Sequence, residues 1–326
     1  MKNILVFTDC DFDDTTAISV LLCQHIQRKI NILGIVCDDG FLTFPDNICW
    51  ISKWLSLNKV YDIPIIKGLS STPYLLQERQ FPKKWVFPYK KMLVEKYNVD
   101  FQEVPPFEDL EIFVEKIKNR SFIVNLIAPI RSYSKLLRKY CHFRNMRSNA
   151  SIGNIIEDAM SSFPDSTYNA FLDPDGLRDY LLFSKSANLV LNTTYNDTTF
   201  DKRKLDLYRE RAKKYILNPD IPVQSKFIFN KTMQFLENFL DNEPRDTGLK
   251  LWDVITTFLL LEYPMQQKSI CQKLLISWTG KTQIESKNSY KNCCDSIGKK
   301  IGNNTNCFVS VNGKDFDEQF VMRFFE

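Results

Sequence analysis

The chain has 326 residues, 44% apolar and 25% charged, and its 43 Lys+Arg against 39 Asp+Glu leave a formal net charge of +4. An apolar share of that size excludes a mostly disordered chain, and so slight a positive excess gives no case for a nucleic-acid or membrane-surface partner. Ten Gly against 25 Phe leave little material for glycine-rich phosphate loops.

Ile4-Leu5-Val6-Phe7 is a short, continuous apolar run of the kind that fills a parallel strand buried on both faces. It leads into Thr8-Asp9-Cys10-Asp11-Phe12-Asp13-Asp14, after which Ala17, Val20 and Leu21 recur at helical spacing. Residues 31–36 (NILGIV) predict a second strand, ending in Cys37-Asp38-Asp39-Gly40. Residues 47–57 predict a helix with Ile48, Ile51, Trp54 and Leu55 on one face, and Ile63-Pro64-Ile65-Ile66 a third strand. This β-α-β-α-β alternation predicts an α/β fold: an open, mostly parallel sheet flanked by helices.

Residues 69–106, rich in Pro and aromatics, read as a long irregular loop over the sheet. Leu110, Phe113, Val114 and Ile117 mark a helix, residues 122–127 (FIVNLI) a strand, and a further helix follows Pro129. Residues 141–155 read as a polar excursion. Asp173-Pro174-Asp175 has the signature of a helix start, with Asp as N-cap and Pro in the first turn. Then come a strand at 187–191, a charged helix at 203–216, apolar helices at 227–240 and 252–262, a strand at 308–311 and a helix at 315–325. No internal repeat appears, so residues 1–326 are expected to form a single domain.

The nine Cys include no pair two to four residues apart, so no zinc spacing emerges, and reduced thiols in a cytoplasmic compartment are expected. The opening MKNILVFTDCDFDD has no signal-peptide pattern, and no stretch of roughly 18 apolar residues suggests a membrane span. Only two His occur: His25 within the first predicted helix and His142 in the polar excursion.

Asp9, Asp11, Asp13 and Asp14 stand together where the first strand ends. Carboxylates that close repel unless a cation or proton is shared among them, and the carboxyl ends of strands are where open α/β sheets bind ligands. A hard divalent cation held by oxygen atoms is the expected occupant. An EF-hand loop begins D-x-D-x-D in the same way but needs Gly at its sixth and Glu at its twelfth position, where this chain has Asp14 and Val20. A haloacid-dehalogenase-like phosphatase also carries D-x-D after its first strand. Asp9 would be its nucleophile, Asp11 its acid and Mg²⁺ its ion.

A third pattern covers more of the chain. Residues 4–18, ILVFTDCDFDDTTAI, resemble the opening hhhDxDxGxDDAxAh of the nucleoside hydrolases, with Asp9 on the second Asp and Asp13-Asp14 on the terminal pair. Phe7 replaces the first Asp of that pattern and Asp11 its Gly. In order after it come Ile32-Leu33-Gly34-Ile35 through Gly40, with Asn47 in the next helix, and Ile63-Pro64-Ile65-Ile66-Lys67-Gly68. There follow Phe81-Pro82-Lys83-Lys84-Trp85, the turn 126–131 (LIAPIR), and Tyr168-Asn169-Ala170-Phe171-Leu172-Asp173-Pro174-Asp175, close to an EFNxxxDPEA block. Leu251-Trp252-Asp253 and residues 309–320 complete the series.

The resemblance implies a nucleoside hydrolase-like, Rossmann-related domain that cleaves the N-glycosidic bond of ribonucleosides with water and a held Ca²⁺, as in purine or pyrimidine salvage. It implies Asp9 as general base and metal ligand, Asp14 and Asp253 as further ligands, and a backbone carbonyl near Ile127 as another. Asp13 and Asn169 would bind ribose, and Trp252 and Trp85 would give a platform for the base. Asp38 and Asp39 are placed to extend the acidic rim or aid the leaving group. The partner implied is a small nucleoside or ribosyl compound, with no nucleic acid and no membrane; a homo-oligomer is left open. Thr167 stands where the family has a ribose-binding Glu, Phe41 where it has Asn, and Trp252 where some branches have a proton-donating His. A binding protein that has lost catalysis is therefore the rival reading, ahead of the phosphatase.

Overall fold

The structure is a computed structural model and describes residues 1–70, 83–153, 169, 172–185, 187–191, 199–242, 249–263, 267–272, 274–276, 282–284, 306–311 and 313–326. Strand β1 (Lys2–Thr8) shows why its apolar run is continuous. Ile4 and Val6 enter one core and Leu5 and Phe7 the other, so alternate side chains fill opposite faces of the sheet. Helix α1 (Phe12–Ile26) follows, with Asp11 as its N-cap accepting from the Phe12 N–H at 2.6 Å.

Strand β2 (Ile30–Cys37) lies parallel to β1, with a register shift where Leu5 meets Gly34. A Cβ on Gly34 would fall 2.4 Å from Ile66 Cδ1 and 2.9 Å from Phe113 Cζ, so the absent side chain lets helix and strand close over that point. Next come α2 (Asp46–Leu57), β3 (Ile65–Lys67), α3 (Lys83–Tyr97), β4 (Glu108–Asp109), α4 (Leu110–Ile117), β5 (Ile123–Ile127) and α5 (Arg131–Lys139). They are followed by β6 (Ser148–Gly153), α6 (Pro174–Phe183) and β7 (Ala187–Leu191). A short antiparallel pair, β8 (Thr199–Phe200) and β9 (Leu249–Lys250), brackets α7 (Lys202–Ile216) and α8 (Val223–Asn242), and leads directly into α9 (Trp252–Leu260). The chain continues through β10 (Gln267–Gln272), β11 (Leu274–Ile276), β12 (Thr282–Ile284), β13 (Asn306–Val311) and α10 (Gly313–Phe325).

The main sheet has the order β10-β13-β7-β6-β5-β1-β2-β3-β4. Every neighbouring pair is parallel except β10 with β13. The predicted α/β architecture is therefore present, with β1 central. One core lies under α1, α2, α3, α7, α8, α9 and α10, and the other under α4, α5 and α6. None of the described helices is long and apolar enough to cross a membrane.

Two expectations need correction. The span 69–106 is not one irregular loop, because residues 83–97 are helical: Tyr89, Met92, Leu93 and Tyr97 are buried at helical spacing, and Pro88 is carried inside the helix. The polar excursion at 141–155 contains β6, an interior strand of the sheet. Its polar residues find partners instead of solvent. Ser148 Oγ lies 2.9 Å from the Tyr180 hydroxyl, and Asn149 Nδ2 donates to the Thr256 carbonyl at 3.4 Å. A strand whose side chains are satisfied in this way carries no apolar alternation. The helix start at Asp173-Pro174 is as predicted, with Asp173 Oδ1 accepting from the Gly176 N–H at 3.1 Å. Phe81, Pro82 and Thr167, which carry parts of the sequence resemblance, lie outside the described residues.

Candidate active site

The turn after β1 bends sharply. Cys10 has φ of 69°, in the left-handed region unusual for a residue with a side chain, and it lets Asp9 and Asp11 diverge. Asp9 is drawn toward the end of β2, where its Oδ2 accepts from the Phe41 N–H at 2.9 Å. The approach is so close that a Cβ on Gly40 would sit 2.1 Å from that oxygen. Asp11 turns the other way to cap α1.

Asp13 and Asp14 occupy the buried first turn of α1. Asp14 Oδ1 accepts from the Thr8 hydroxyl at 2.6 Å and from the Asp9 N–H at 3.1 Å. Asp14 also lies against the carboxyls of both Asp9 and Asp253, and its Oδ2 is buried with no donor among the described residues. Asp253 arrives from α9, 240 residues after Asp13, and its own N–H donates to Asp13 Oδ2 at 3.4 Å. A helix N-terminus with a free amide is a favourable neighbour for a carboxylate, which offsets part of the crowding of charge.

Asp13, Asp14 and Asp253 each direct an oxygen into a common space, with the three atoms within 4.8 Å of one another. Oxygens bound to one Ca²⁺ at about 2.4 Å can be no farther apart than about 4.8 Å. Burial and mutual repulsion push Asp9 up to about 7, burial above all and then the charge of Asp11. Asp253 is likewise raised to about 7 by burial, with the Asp14 carboxyl and the Ser151 hydroxyl working against the shift. Asp13 and Asp14 are raised well above the usual carboxylate range, by burial first and then by Asp253 and Asp9 respectively. A divalent cation would remove this frustration at once. The orphaned Asp14 Oδ2, the converging oxygens and the all-oxygen donor set fit a hard cation of that kind.

The remaining predicted residues fall as follows. Ile127 ends β5 directly beside Thr8 in the parallel register, so its main chain lies next to the acid turn. Asn169 Nδ2 donates to the Ser151 carbonyl at 2.9 Å, an amide-to-backbone bond that also ties it to the residue whose hydroxyl serves Asp253. Trp252 opens α9 next to Asp253 and is partly exposed. Trp85 packs at the edge of the core on α3, one turn before Tyr89, whose hydroxyl reaches the Cys10 carbonyl at 3.2 Å. Neither His is near the cluster: His25 Nε2 is 3.3 Å from Asp62 Oδ2, and His142 packs against Phe143. Phe7 fills the core against Tyr133, on the face opposite Val6.

Sequence reasoning missed Thr8, Ser151 and Tyr89. Thr8 had a signal, since it ends a buried strand immediately before the acids. Ser151 had none, because β6 reads as loop. The third carboxylate cluster member, Asp13, converges with Asp14 and Asp253, while Asp9 stands beside Asp14 with one oxygen held by Phe41.

No family profile and no curated protein matches the sequence. Solved structures do match the fold. An inosine-guanosine nucleoside hydrolase aligns with a TM-score of 0.71 at 16% identity, covering 99% of this chain and 98% of that one. An inosine-uridine preferring nucleoside hydrolase from Bacillus anthracis gives 0.68 at 15% identity over 99% of each. A purine-preferring ribonucleoside hydrolase from Gardnerella vaginalis gives 0.64 at 16% identity, over 99% and 98%. At these identities the likeness speaks for architecture over the whole length, and the chain has the fold of the nucleoside hydrolases.

Proposed function

We propose that the chain is a calcium-dependent N-ribohydrolase that cleaves ribonucleosides to free base and ribose. The observation that carries this reading is the arrival of Asp253 at Asp13 and Asp14 from 240 residues away, which assembles an all-carboxylate hollow at the carboxyl end of the sheet. Asp14 and Asp253 would hold the ion with Asp9, as the sequence resemblance implies, and with Asp13, whose oxygen converges with theirs, together with a carbonyl near Ile127. When bound, the ion lowers the pKa of water and fixes ribose hydroxyls.

Asp9 acts as general base. The Phe41 N–H fixes its orientation, and Asp9 takes the proton from water as the water oxygen bonds to the anomeric carbon; the N-glycosidic bond breaks with its electron pair leaving on the base nitrogen, which takes up a proton from solvent. The surrounding carboxylates favour the oxocarbenium-like charge that develops on the ribosyl ring. Asp13 and Asn169 bind ribose, and Trp252 and Trp85 are placed to flank the base. The phosphatase alternative would give Asp11 the role of acid, whereas the structure uses it as the α1 cap.

Release of free base from a nucleoside panel by Ca²⁺-loaded protein tests the reading, with Asp9→Asn as the control. Base release that Asp9→Asn abolishes supports it. Ca²⁺ uptake with no release from any nucleoside would instead favour the binding-protein reading, for which Phe7, an apolar core residue at an acid's position, is the favouring observation.

A further inference from the structure

Residues 122–127 (FIVNLI) hold one polar side chain in an apolar run, and the proposed chemistry leaves it unused. Ile123, Asn125 and Ile127 alternate onto the face of β5 against which α9 packs. The two Ile contribute to the core there, and Asn125 between them is 0% exposed. Its Nδ2 donates to the Thr257 hydroxyl at 2.7 Å, and that buried hydroxyl donates to the Asp253 carbonyl at 2.7 Å. The order of donors is consistent throughout. A hydroxyl whose proton is committed to a carbonyl can only accept from the amide, so the amide nitrogen must face it. Asn125 Oδ1 is left buried with no partner among the described residues.

A buried amide with an orphaned oxygen costs stability in the middle of a strand where Leu or Val would pack. What it supplies is position. Apolar contact between a helix and a sheet tolerates sliding, whereas hydrogen bonds have a length and a direction. Neighbouring β6 holds α9 in the same manner. Asn149, the register partner of Asn125, donates to the Thr256 carbonyl at 3.4 Å, and the Ser151 hydroxyl reaches the Asp253 carboxyl. With its N–H on Asp13 Oδ2, Asp253 is held at its amide, its carbonyl and its carboxyl. The carbonyl's tether runs through Thr257 to Asn125, which stands beside Val6 of β1. The strand that delivers Asp9 and the helix that delivers Asp253 are thereby indexed to each other.

We propose that Asn125 and Thr257 are positioning residues for the ion site. They set α9 against β5 so that the Asp253 oxygen meets those of Asp13 and Asp14. Neither belongs to the converging set, and both act through the main chain of Asp253. This deepens the N-ribohydrolase reading and rests on it for the identity of the ion, not for the tether itself. Partners that orient a metal ligand are worth about 10–100-fold in metal affinity. The pair should therefore matter for the affinity of the ion and little for stability, the reverse of an ordinary core contact.

The test is calorimetric Ca²⁺ uptake, with the metal-free Tm, for the wild type, Asn125→Leu/Thr257→Val, Thr257→Val and Thr257→Ser. The double variant keeps the side-chain shapes and removes amide and hydroxyl together, so neither is left buried without the other. Its Tm should equal or exceed that of the wild type while its Ca²⁺ affinity falls about 10–100-fold. Thr257→Ser keeps the hydroxyl and should stay within about threefold of the wild type. A double variant that binds Ca²⁺ as the wild type does overturns the proposal, whatever its Tm. If Tm falls along with the affinity, or the double variant does not fold, Thr257→Val against Thr257→Ser decides: weaker uptake in the Val variant alone supports the tether, and equal affinities overturn it. Hydrogen exchange of the metal-free proteins gives a readout independent of the ion. Amides of residues 253–257 should exchange about tenfold faster or more in the double variant, with those of α1 unchanged. If the wild type takes up no Ca²⁺, the calcium reading fails alone and this exchange decides the tether, equal protection of α9 in the two proteins overturning it.

Discussion

The carboxylate cluster and the Arg131 region sit side by side at the same edge of the sheet, yet they solve the burial of charge in opposite ways. Around Asp14 the chain packs like charges together and supplies few donors: the Thr8 hydroxyl, the N–H groups of Asp9, Phe41 and Asp253, and the Ser151 hydroxyl. Around Arg131 it mixes signs: the guanidinium acts on the carboxyls of Asp38 and Asp173, and Arg131 Nη1, Asp38 Oδ2 and Asp173 Oδ2 are each buried without a partner among the described residues. The first arrangement is stable only with a cation or shared protons, whereas in the second the Arg131 charge offsets part of the cost of burying the Asp38 and Asp173 carboxyls.

The sharpest way to break that contrast is at Asp253. Asp253→Asn should abolish saturable Ca²⁺ uptake measured by calorimetry, and base release should fall by about 10²–10³-fold, the scale of losing an electrostatic group at a reacting centre. Full Ca²⁺ affinity in this variant would show that the three converging oxygens do not act together.

Next comes the dependence of stability on pH. Asp9 and Asp253 keep their protons to about pH 7 in the folded, metal-free protein, while the unfolded chain releases them near 3.8. Between those values the folded state binds more protons, so these groups make stability fall as pH rises, by at most about 1.4 kcal/mol per pH unit for each group. Ca²⁺ competes with those protons. The rise in Tm on adding Ca²⁺ to chelator-treated protein should therefore be larger at pH 8 than at pH 5.5. A shift that is absent, or larger at the lower pH, would remove the cation from the account.

Gly40 sharpens the comparison at the level of position. Gly40→Ala would bring a methyl carbon to 2.1 Å from Asp9 Oδ2, so the base or the loop must move. A loss of about 100-fold in kcat is expected, since a displacement near 1 Å is enough for that, with about 1–3 kcal/mol of stability lost to overpacking. Wild-type kcat with an unchanged KM would show that Asp9 does not need its hold on Phe41.

The two regions also differ in how far the sequence announces them. Asp9, Asp13 and Asp14 are legible because four acids after a buried apolar run have no comfortable structural reason to be there. Asp253 is legible only through the order of weak motifs, for nothing local distinguishes it from any acid in a first helical turn. The parallel sheet was legible from short apolar runs at β1, β2, β3, β5, β7 and β13, and it was lost at β6, where Ser148 and Asn149 answer to Tyr180 and to α9 instead of to an apolar core. Helix α3 was hidden by Pro88, which breaks the pattern without ending the helix. Arg131 stands out in the sequence only as part of the turn 126–131, and Asp173 as an ordinary cap. Their unsatisfied atoms exist only once β2, β5 and α6 have been brought to one edge.

The smallest expected effect separates two uses of the same short acid run. Asp11→Ala removes the α1 cap and should cost about 1 kcal/mol of stability, seen as a lower Tm. It also removes the carboxylate whose charge helps to hold Asp9 up near 7. The acid limb of the kcat/KM profile should therefore move to lower pH by less than a unit, with the plateau close to the wild type. A general acid at this position would behave differently, since its removal lowers the plateau itself by about 10²–10⁴-fold. A collapse of the plateau in Asp11→Ala, with folding intact, would give Asp11 a direct part in the chemistry beside Asp9 and end its reading as a helix cap alone.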